Sequence, residues 1–292
     1  MTAVTIERLG QQGDGVARGP LFVPLTLPGE VVSGTQEGDT LVDISIDSPS
    51  PDRVKAPCPH FRSCGGCQLQ HASDDLVAEW KRELVVTALA VHGIETDVHP
   101  TLTSPDTSRR RATFTARRTK KGAMVGFHAR KSDAIIPVPN CILVTPALAS
   151  VAPLAEAVAI AGASRKGALS VTVTEGIEAL DIAVTGGKPL DGPLRIVLAG
   201  LCEAHRLARL TWDDELIGMR VPPAQAIGNT KVTPPPGAFL QATQHGQDTL
   251  TELVQNIVGD AKSVADLFAG CGTFALPLAE TAEVFAVEGA PE

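Results

Sequence analysis

Three cysteines, Cys58, Cys64 and Cys67, fall inside the stretch CPHFRSCGGCQLQHA with the spacing C-x5-C-x2-C. The chain has six cysteines in all, so half of them crowd into one short loop. The opening MTAVTIERLG shows no basic segment followed by an apolar one, so secretion is not expected and a cytoplasmic setting keeps these thiols reduced. Clustered reduced thiols hold metal or do chemistry. Gly65 and Gly66 let the backbone curl tightly and turn N–H groups toward the sulfurs. Three thiolates leave a coordination position open, and Cys141 in PVPNCILV is the expected fourth ligand; Cys202, in a half-apolar helical context, reads as core. The spacing suits a [4Fe–4S] cluster, and equally a zinc site of four thiolates or of three with His60 or His71.

A second motif is VADLFAGCGTF, Val264–Phe274, which carries D-x-F-x-G-x-G between an apolar strand and a helix. Gly270 and Gly272 allow backbone to approach a ligand at the helix N-terminus. The pattern is neither G-x-G-x-x-G nor a loop followed by GK[ST], so a dinucleotide site and a P-loop are both disfavoured. Twenty residues past Phe268, the strand VFAVEG ends at Glu288, where a carboxylate suits the two hydroxyls of a ribose. Glycine loop plus acid is the pattern of an S-adenosylmethionine site.

The chain carries a formal charge of −8, yet Arg109–Lys131 holds nine basic residues and no acidic one. The remainder therefore carries −17, and one basic face on an acidic body is expected. Within it, Arg109, Arg110, Arg111, Arg117, Arg118, Lys120 and Lys121 are candidates for phosphate contacts, while Phe114 and Phe127 either stack a base or belong to the core.

These residues need elements to hold them. Residues 1–50 alternate and are broken by Gly and Pro, which predicts a small barrel of short strands. SPSPDRVKAP is a linker. DDLVAEWKRELVVTALAVHG predicts a helix over 74–92, capped by Asp74 or Asp75 and stopped by Gly93, with Leu76, Trp80, Leu84, Ala88 and Val91 on one stripe. The basic segment predicts a β-hairpin turning at TKKG. Residues 151–235 read as short strands with a helix near AGLCEAHRLARL, and HGQDTLTELVQNIVGD as a helix. No run of about 18 apolar residues is present, so no helical span is expected.

Taken together, CPHFRSCGGCQLQHA, SRRRATFTARR with GFHARKSDAIIPVPNC, GAFLQAT, and DLFAGCGTFALPLA with VEG resemble the bacterial RNA uracil-5 methyltransferases, a class I S-adenosylmethionine-dependent family. The opening IERLGQQGDGVARG with LFVPLTLPGE looks like a TRAM domain, a small OB-type barrel that binds RNA. The resemblance implies three parts: the barrel over 1–50, an α+β iron–sulfur and RNA-binding domain over 51–235, and over 236–292 the first part of a Rossmann-like α/β methyltransferase domain, on which the 74–92 helix packs. It implies a [4Fe–4S] cluster on Cys58, Cys64, Cys67 and Cys141, and donor contacts from Gln241, Phe268, Gly270, Gly272, Thr273 and Glu288. The chain departs from the family at Thr243, where Asn is usual, which puts the local hydrogen bonding in question.

The implied activity is methylation of uracil C5 in RNA, with ribosomal RNA favoured and transfer RNA possible; a monomer is expected. Uracil C5 is a poor nucleophile, so a thiolate must first add at C6, and a base must later remove the C5 proton. No cysteine here fits that role: four are assigned to the cluster, Cys202 reads as buried, and Cys271 lies within the donor loop. The nucleophile and base are therefore expected beyond Glu292, the sheet incomplete, and this 292-residue chain inactive alone. The alternative is a non-catalytic, metal-stapled RNA-binding module.

Overall fold

The computed structural model describes residues 2–289 and divides into two compact units, Met1–Thr103 and Ser104–Glu292. The first unit opens with five strands, β1 (Thr2–Leu9), β2 (Gly15–Ala17), β3 (Leu21–Val23), β4 (Val31–Glu37) and β5 (Thr40–Ser48), closed into a barrel in the order β1-β2-β3-β5-β4. Alternation fills its interior with Ile6, Ala17, Leu21, Val23, Val32 and Leu41, and closure leaves no sheet edge unpaired. At Gly34 there is room for nothing larger, since a Cβ would lie 2.7 Å from the Val42 carbonyl oxygen.

Helix α1 (Asp74–Val91) follows the cysteine loop. Ser73, not Asp74 or Asp75, caps it, its hydroxyl accepting the Leu76 N–H at 3.2 Å. The two aspartates instead occupy the first turn, where they face the positive end of the helix dipole. Leu76, Val77 and Trp80 pack on Leu9, Leu27, Leu69 and Ala72, whereas Val85, Val86 and Val91 stay exposed.

The second unit is built on a seven-stranded sheet from β6 (Arg111–Arg118), β7 (Ala123–His128), β8 (Ile135–Ile136), β9 (Leu169–Glu175), β10 (Leu180–Thr185), β11 (Arg209–Trp212) and β12 (Glu215–Met219), ordered β12-β11-β10-β9-β6-β7-β8. Only β10–β11 is parallel. Helices α2 (Pro146–Ala149), α3 (Ala152–Gly162) and α4 (Gly192–Ala204) lie against one face of this sheet. The expected hairpin is present, with the Thr119 N–H donating to the Gly122 carbonyl at 2.8 Å across its turn. The helix expected near AGLCEAHRLARL begins earlier, at Gly192, and ends before β11; α3 occupies a stretch whose sequence predicts no helix.

A two-stranded hairpin, β13 (Gln225–Ile227) and β14 (Thr230–Val232), leads to α5 (Gln244–Val258). Then come β15 (Ser263–Leu267), α6 (Ala275–Leu278) and β16 (Glu283–Val287); β15 and β16 pair in parallel, so the chain crosses over between them. Among the described residues no helix is long and apolar enough to cross a membrane.

Candidate functional site

The cysteine loop is closed at its neck. Val54 N–H donates to the His71 carbonyl at 3.0 Å, Ser73 N–H to the Asp52 carbonyl at 2.8 Å, and the Ser73 hydroxyl to the Asp52 carboxylate at 2.8 Å. Inside, Cys64 is buried and its N–H reaches the His60 carbonyl at 2.8 Å, while the Gly66 N–H points to Cys64 Sγ at 3.4 Å. Cys58 and Cys67 are half-buried. An open cleft of about 910 Å³ adjoins Cys58, walled by Ile44, Ile46, Lys55, Phe61 and Arg62. Among the described residues no three of His, Cys, Asp and Glu are gathered closely enough to hold one metal ion. Cys141, also half-buried, belongs to the second unit, where it packs against the main core.

The basic segment sorts by strand alternation. Ala112, Phe114 and Ala116 point into the helix-covered core. Phe114 stacks on Phe127 with ring centroids 4.8 Å apart, so it is core and not a platform for a base. Arg111, Thr113, Thr115 and Arg117 take the other face, joined there by Thr172 and His128 through hydroxyl hydrogen bonds of 2.9 and 3.0 Å. The Nε atoms of Arg111 and Arg117 are buried without a hydrogen-bond partner. Arg118 is half-buried at the strand end, Lys120 and Lys121 are exposed at the turn, and Arg109 is half-buried. Arg110 corrects the expectation: it is 6% exposed, and its guanidinium is committed to Gln241, Gln244 and Gln247, so no phosphate can reach it.

The glycine loop joins β15 to α6. Phe268 takes φ +67 and is 88% exposed, and Gly270 and Gly272 take φ +56 and +86. Glu288, at the end of β16, accepts the Gly270 N–H through Oε2 at 2.7 Å, so acid and loop share one edge of the strand pair. The helix that follows is a single turn, too short for a strong dipole, and the loop closes on itself, the Ala269 N–H donating to the Val287 carbonyl and the Gly272 N–H to the Ala269 carbonyl, each at 2.9 Å. Thr273 is tied to α5, its carbonyl accepting the Thr251 hydroxyl at 3.3 Å. Cys271 is half-buried, and burial together with the Glu288 charge pushes its thiol up. Asp266 lies within the glycine-loop motif and carries no expected role of its own, yet it leaves Oδ2 buried without a hydrogen-bond partner at the base of the loop. Thr243 answers the question raised by its departure from Asn: it caps α5, accepting the Gly246 N–H at 2.9 Å, and bonds the Ser104 hydroxyl at 2.8 Å.

No family model matches the chain. It is 43% identical to an uncharacterized RNA methyltransferase of Rhizobium meliloti, over 98% of its own length and 71% of that protein. It is 30% identical to the 23S rRNA (uracil(1939)-C(5))-methyltransferase RlmD of Shewanella sp., over 99% of its length and 70% of the relative. The chain belongs to the RNA uracil-5 methyltransferase family. Its fold matches the crystal structure of Pyrococcus abyssi tRNA (uracil-54, C5)-methyltransferase in complex with S-adenosyl-L-homocysteine, with a TM-score of 0.70 over 98% of this chain and 79% of that one, at 19% identity. The glycine loop, Glu288 and the hydroxyl-lined basic sheet face all belong to the second unit of this RNA uracil-5 methyltransferase.

Proposed function

We propose that the chain takes part in S-adenosylmethionine-dependent methylation of uracil C5 in RNA. The observation that carries this reading is the Glu288–Gly270 hydrogen bond, which sets a carboxylate and a glycine loop at one end of a parallel strand pair. That arrangement supports a Rossmann-like domain over 236–292, with Glu288 for the ribose hydroxyls and Gln241, Phe268, Gly270, Gly272 and Thr273 for the rest of the donor. The donor supplies an electrophilic methyl group. The chain's own residues bind and orient it, and the raised thiol of Cys271 keeps that side chain from competing as a nucleophile. Cys202, 1% exposed and likewise pushed up by burial, is equally unsuited to attack uracil.

Arg109, Arg111, Arg117, Arg118, Lys120 and Lys121 are proposed as RNA phosphate contacts, on the support of exposed Lys120 and Lys121 and the half-buried arginines in a segment without an acidic residue. Ribosomal RNA is favoured because RlmD, one of the relatives matched in sequence, is named for 23S rRNA, whereas the tRNA enzyme matches in fold. The five-stranded barrel supports a TRAM-type RNA-binding domain over 1–50, whereas the proposed 51–235 middle domain straddles the division of the chain between Thr103 and Ser104. Cys58, Cys64, Cys67 and Cys141 are the proposed ligands of a [4Fe–4S] cluster. The reading rests on the chemistry of the donor set, four cysteines, one with a loop N–H aimed at its sulfur, and not on a gathered ligand group among the described residues.

Calorimetry with S-adenosylhomocysteine and Glu288→Gln tests the reading. Binding by the wild-type chain, weakened by the substitution, is expected. A chain that binds RNA but no S-adenosylhomocysteine would instead be a non-catalytic RNA-binding module.

A further inference from the structure

Arg110 is the second residue of the arginine triplet, yet it is turned away from solvent with no carboxylate in hydrogen-bonding contact. Its Nε donates to the Gln241 carbonyl at 3.3 Å, Nη1 to Gln244 Oε1, and Nη2 to Gln247 Oε1 at 2.7 Å. Its backbone joins in, the N–H donating to the Ala242 carbonyl at 2.9 Å and the carbonyl accepting from Glu175 N–H at 2.8 Å. Burial disfavours the cation and the nearby charges of Asp248 and Glu175 offset part of that cost, but amide and backbone oxygens rather than carboxylates take its hydrogen bonds, an arrangement that uses the geometry of a planar fork of donors. What the fork fixes is specific. Gln247, 2% exposed, passes the link on by donating Nε2 to the Ala226 carbonyl at 3.0 Å, which locks α5 to β13. One turn further along α5, Thr251 holds Thr273 of the glycine loop.

We propose that Arg110 is a positioning residue for the methyl-donor site: it fastens Gln241 and the first turns of α5 to strand β6, and α5 in turn fixes the glycine loop at Thr273. This rests on the donor-binding reading of Gln241 and that loop. Arg110 thus serves the donor and not the RNA, although the residues flanking it in sequence face the RNA side.

The test compares Arg110→Lys with Arg118→Gln in the full chain, using S-adenosylhomocysteine and a single-stranded uridine-containing RNA as probes. Lysine keeps the charge and loses the fork. Arg110→Lys should weaken S-adenosylhomocysteine binding about tenfold, the equivalent of one buried hydrogen bond, with the salt slope of RNA binding unchanged. Arg118→Gln should do the reverse, leaving S-adenosylhomocysteine affinity intact and lowering the salt slope by about 0.7. Amide exchange is the second measurement: Arg110→Lys should speed exchange in residues 241–258 and at the glycine loop while β6 and β9 keep their protection. Unchanged S-adenosylhomocysteine affinity, a lowered salt slope, or loosening of the whole unit in Arg110→Lys would each overturn the proposal. A wild-type chain that binds no S-adenosylhomocysteine would sink the donor reading itself, and the role of Arg110 with it.

Discussion

The Glu30 carboxylate, fully shielded from solvent, receives Arg53 at two points, Nε to Oε1 at 2.5 Å and Nη2 to Oε2 at 2.8 Å. The backbone N–H groups of Leu27 and Ser50 donate to the same carboxylate at 2.9 and 3.2 Å, and Arg53 also reaches the Leu25 carbonyl at 2.9 Å. The pair therefore binds the barrel to the neck of the cysteine loop. Burial alone would push the Glu30 carboxyl up, but Arg53 and the two backbone donors outweigh it and leave it below its usual range. A group lowered on folding stabilises above its unfolded value and loses that contribution as pH falls through the folded one. The first unit should therefore weaken below about pH 4.5, and Glu30→Gln should flatten that acid dependence. Arg53→Met, which strands a buried charge, should cost about 3–5 kcal/mol. Urea unfolding followed by amide exchange of the barrel across pH checks both.

Trp212 offers a second test of the fold. It is 1% exposed, donates Nε1–H to the Lys188 carbonyl at 2.9 Å, and lies flush on two glycines. A Cβ on Gly162 or Gly187 would sit 2.1 or 1.9 Å from the ring, and neither backbone nor indole has room to yield. Gly187→Ala should destabilise the second unit by about 3 kcal/mol, read as a lowered melting temperature.

The sequence is most legible where local chemistry alone decides structure. Thr119–Gly122 turns the hairpin and Gly270 and Gly272 adopt positive φ, because turn and glycine rules act over a few residues. Helix α3 is hidden because APLAEAVAIAG is apolar on nearly every side, and such a run carries no period to separate a buried helix from a strand. Arg110 misleads for a different reason. Its neighbours Arg109 and Arg111 advertise a charged face, whereas its own partners, Gln241, Gln244 and Gln247, lie more than a hundred residues away and leave no local mark.

The exposed end of the basic hairpin predicts a salt-dependent RNA affinity. Phosphate binding releases counterions, so replacing Lys120 and Lys121 by Gln should lower the slope of log affinity against log salt, by about 0.7 for each single-strand phosphate no longer neutralised. Fluorescence anisotropy between low and physiological salt measures it. A slope identical to wild type would mean that these lysines merely solvate the turn.

Metal analysis separates the two chemistries open to the cysteine loop. Anaerobically purified protein should be brown and contain iron with acid-labile sulfide, not zinc, and Cys64→Ser should lose the iron together with part of the protease resistance of residues 52–73. Iron chelation of the wild-type chain should reproduce that proteolysis. Zinc in stoichiometric amount would replace the cluster reading with a structural zinc site.

Cys271 reports on the glycine loop from within. Its thiol is pushed up first by burial and then by the negative charge of Glu288, so the thiolate should be scarce at neutral pH and alkylation slow. Glu288→Gln removes the charge but not the burial. The rate of iodoacetamide modification at pH 8, followed by mass spectrometry of the Cys271 peptide, should therefore rise in that variant and not fall. The same substitution takes away one carboxylate oxygen from the Gly270 N–H, which by itself would loosen the loop and raise the rate further. Gly272→Ala distinguishes the two contributions. Its Cβ would meet Leu276 Cγ at 2.8 Å at a backbone φ of +86, so the loop and the single turn of α6 must shift while the charge of Glu288 stays. If Gly272→Ala speeds alkylation as much as Glu288→Gln does, loop order governs Cys271; if only Glu288→Gln does so, the carboxylate's field governs it.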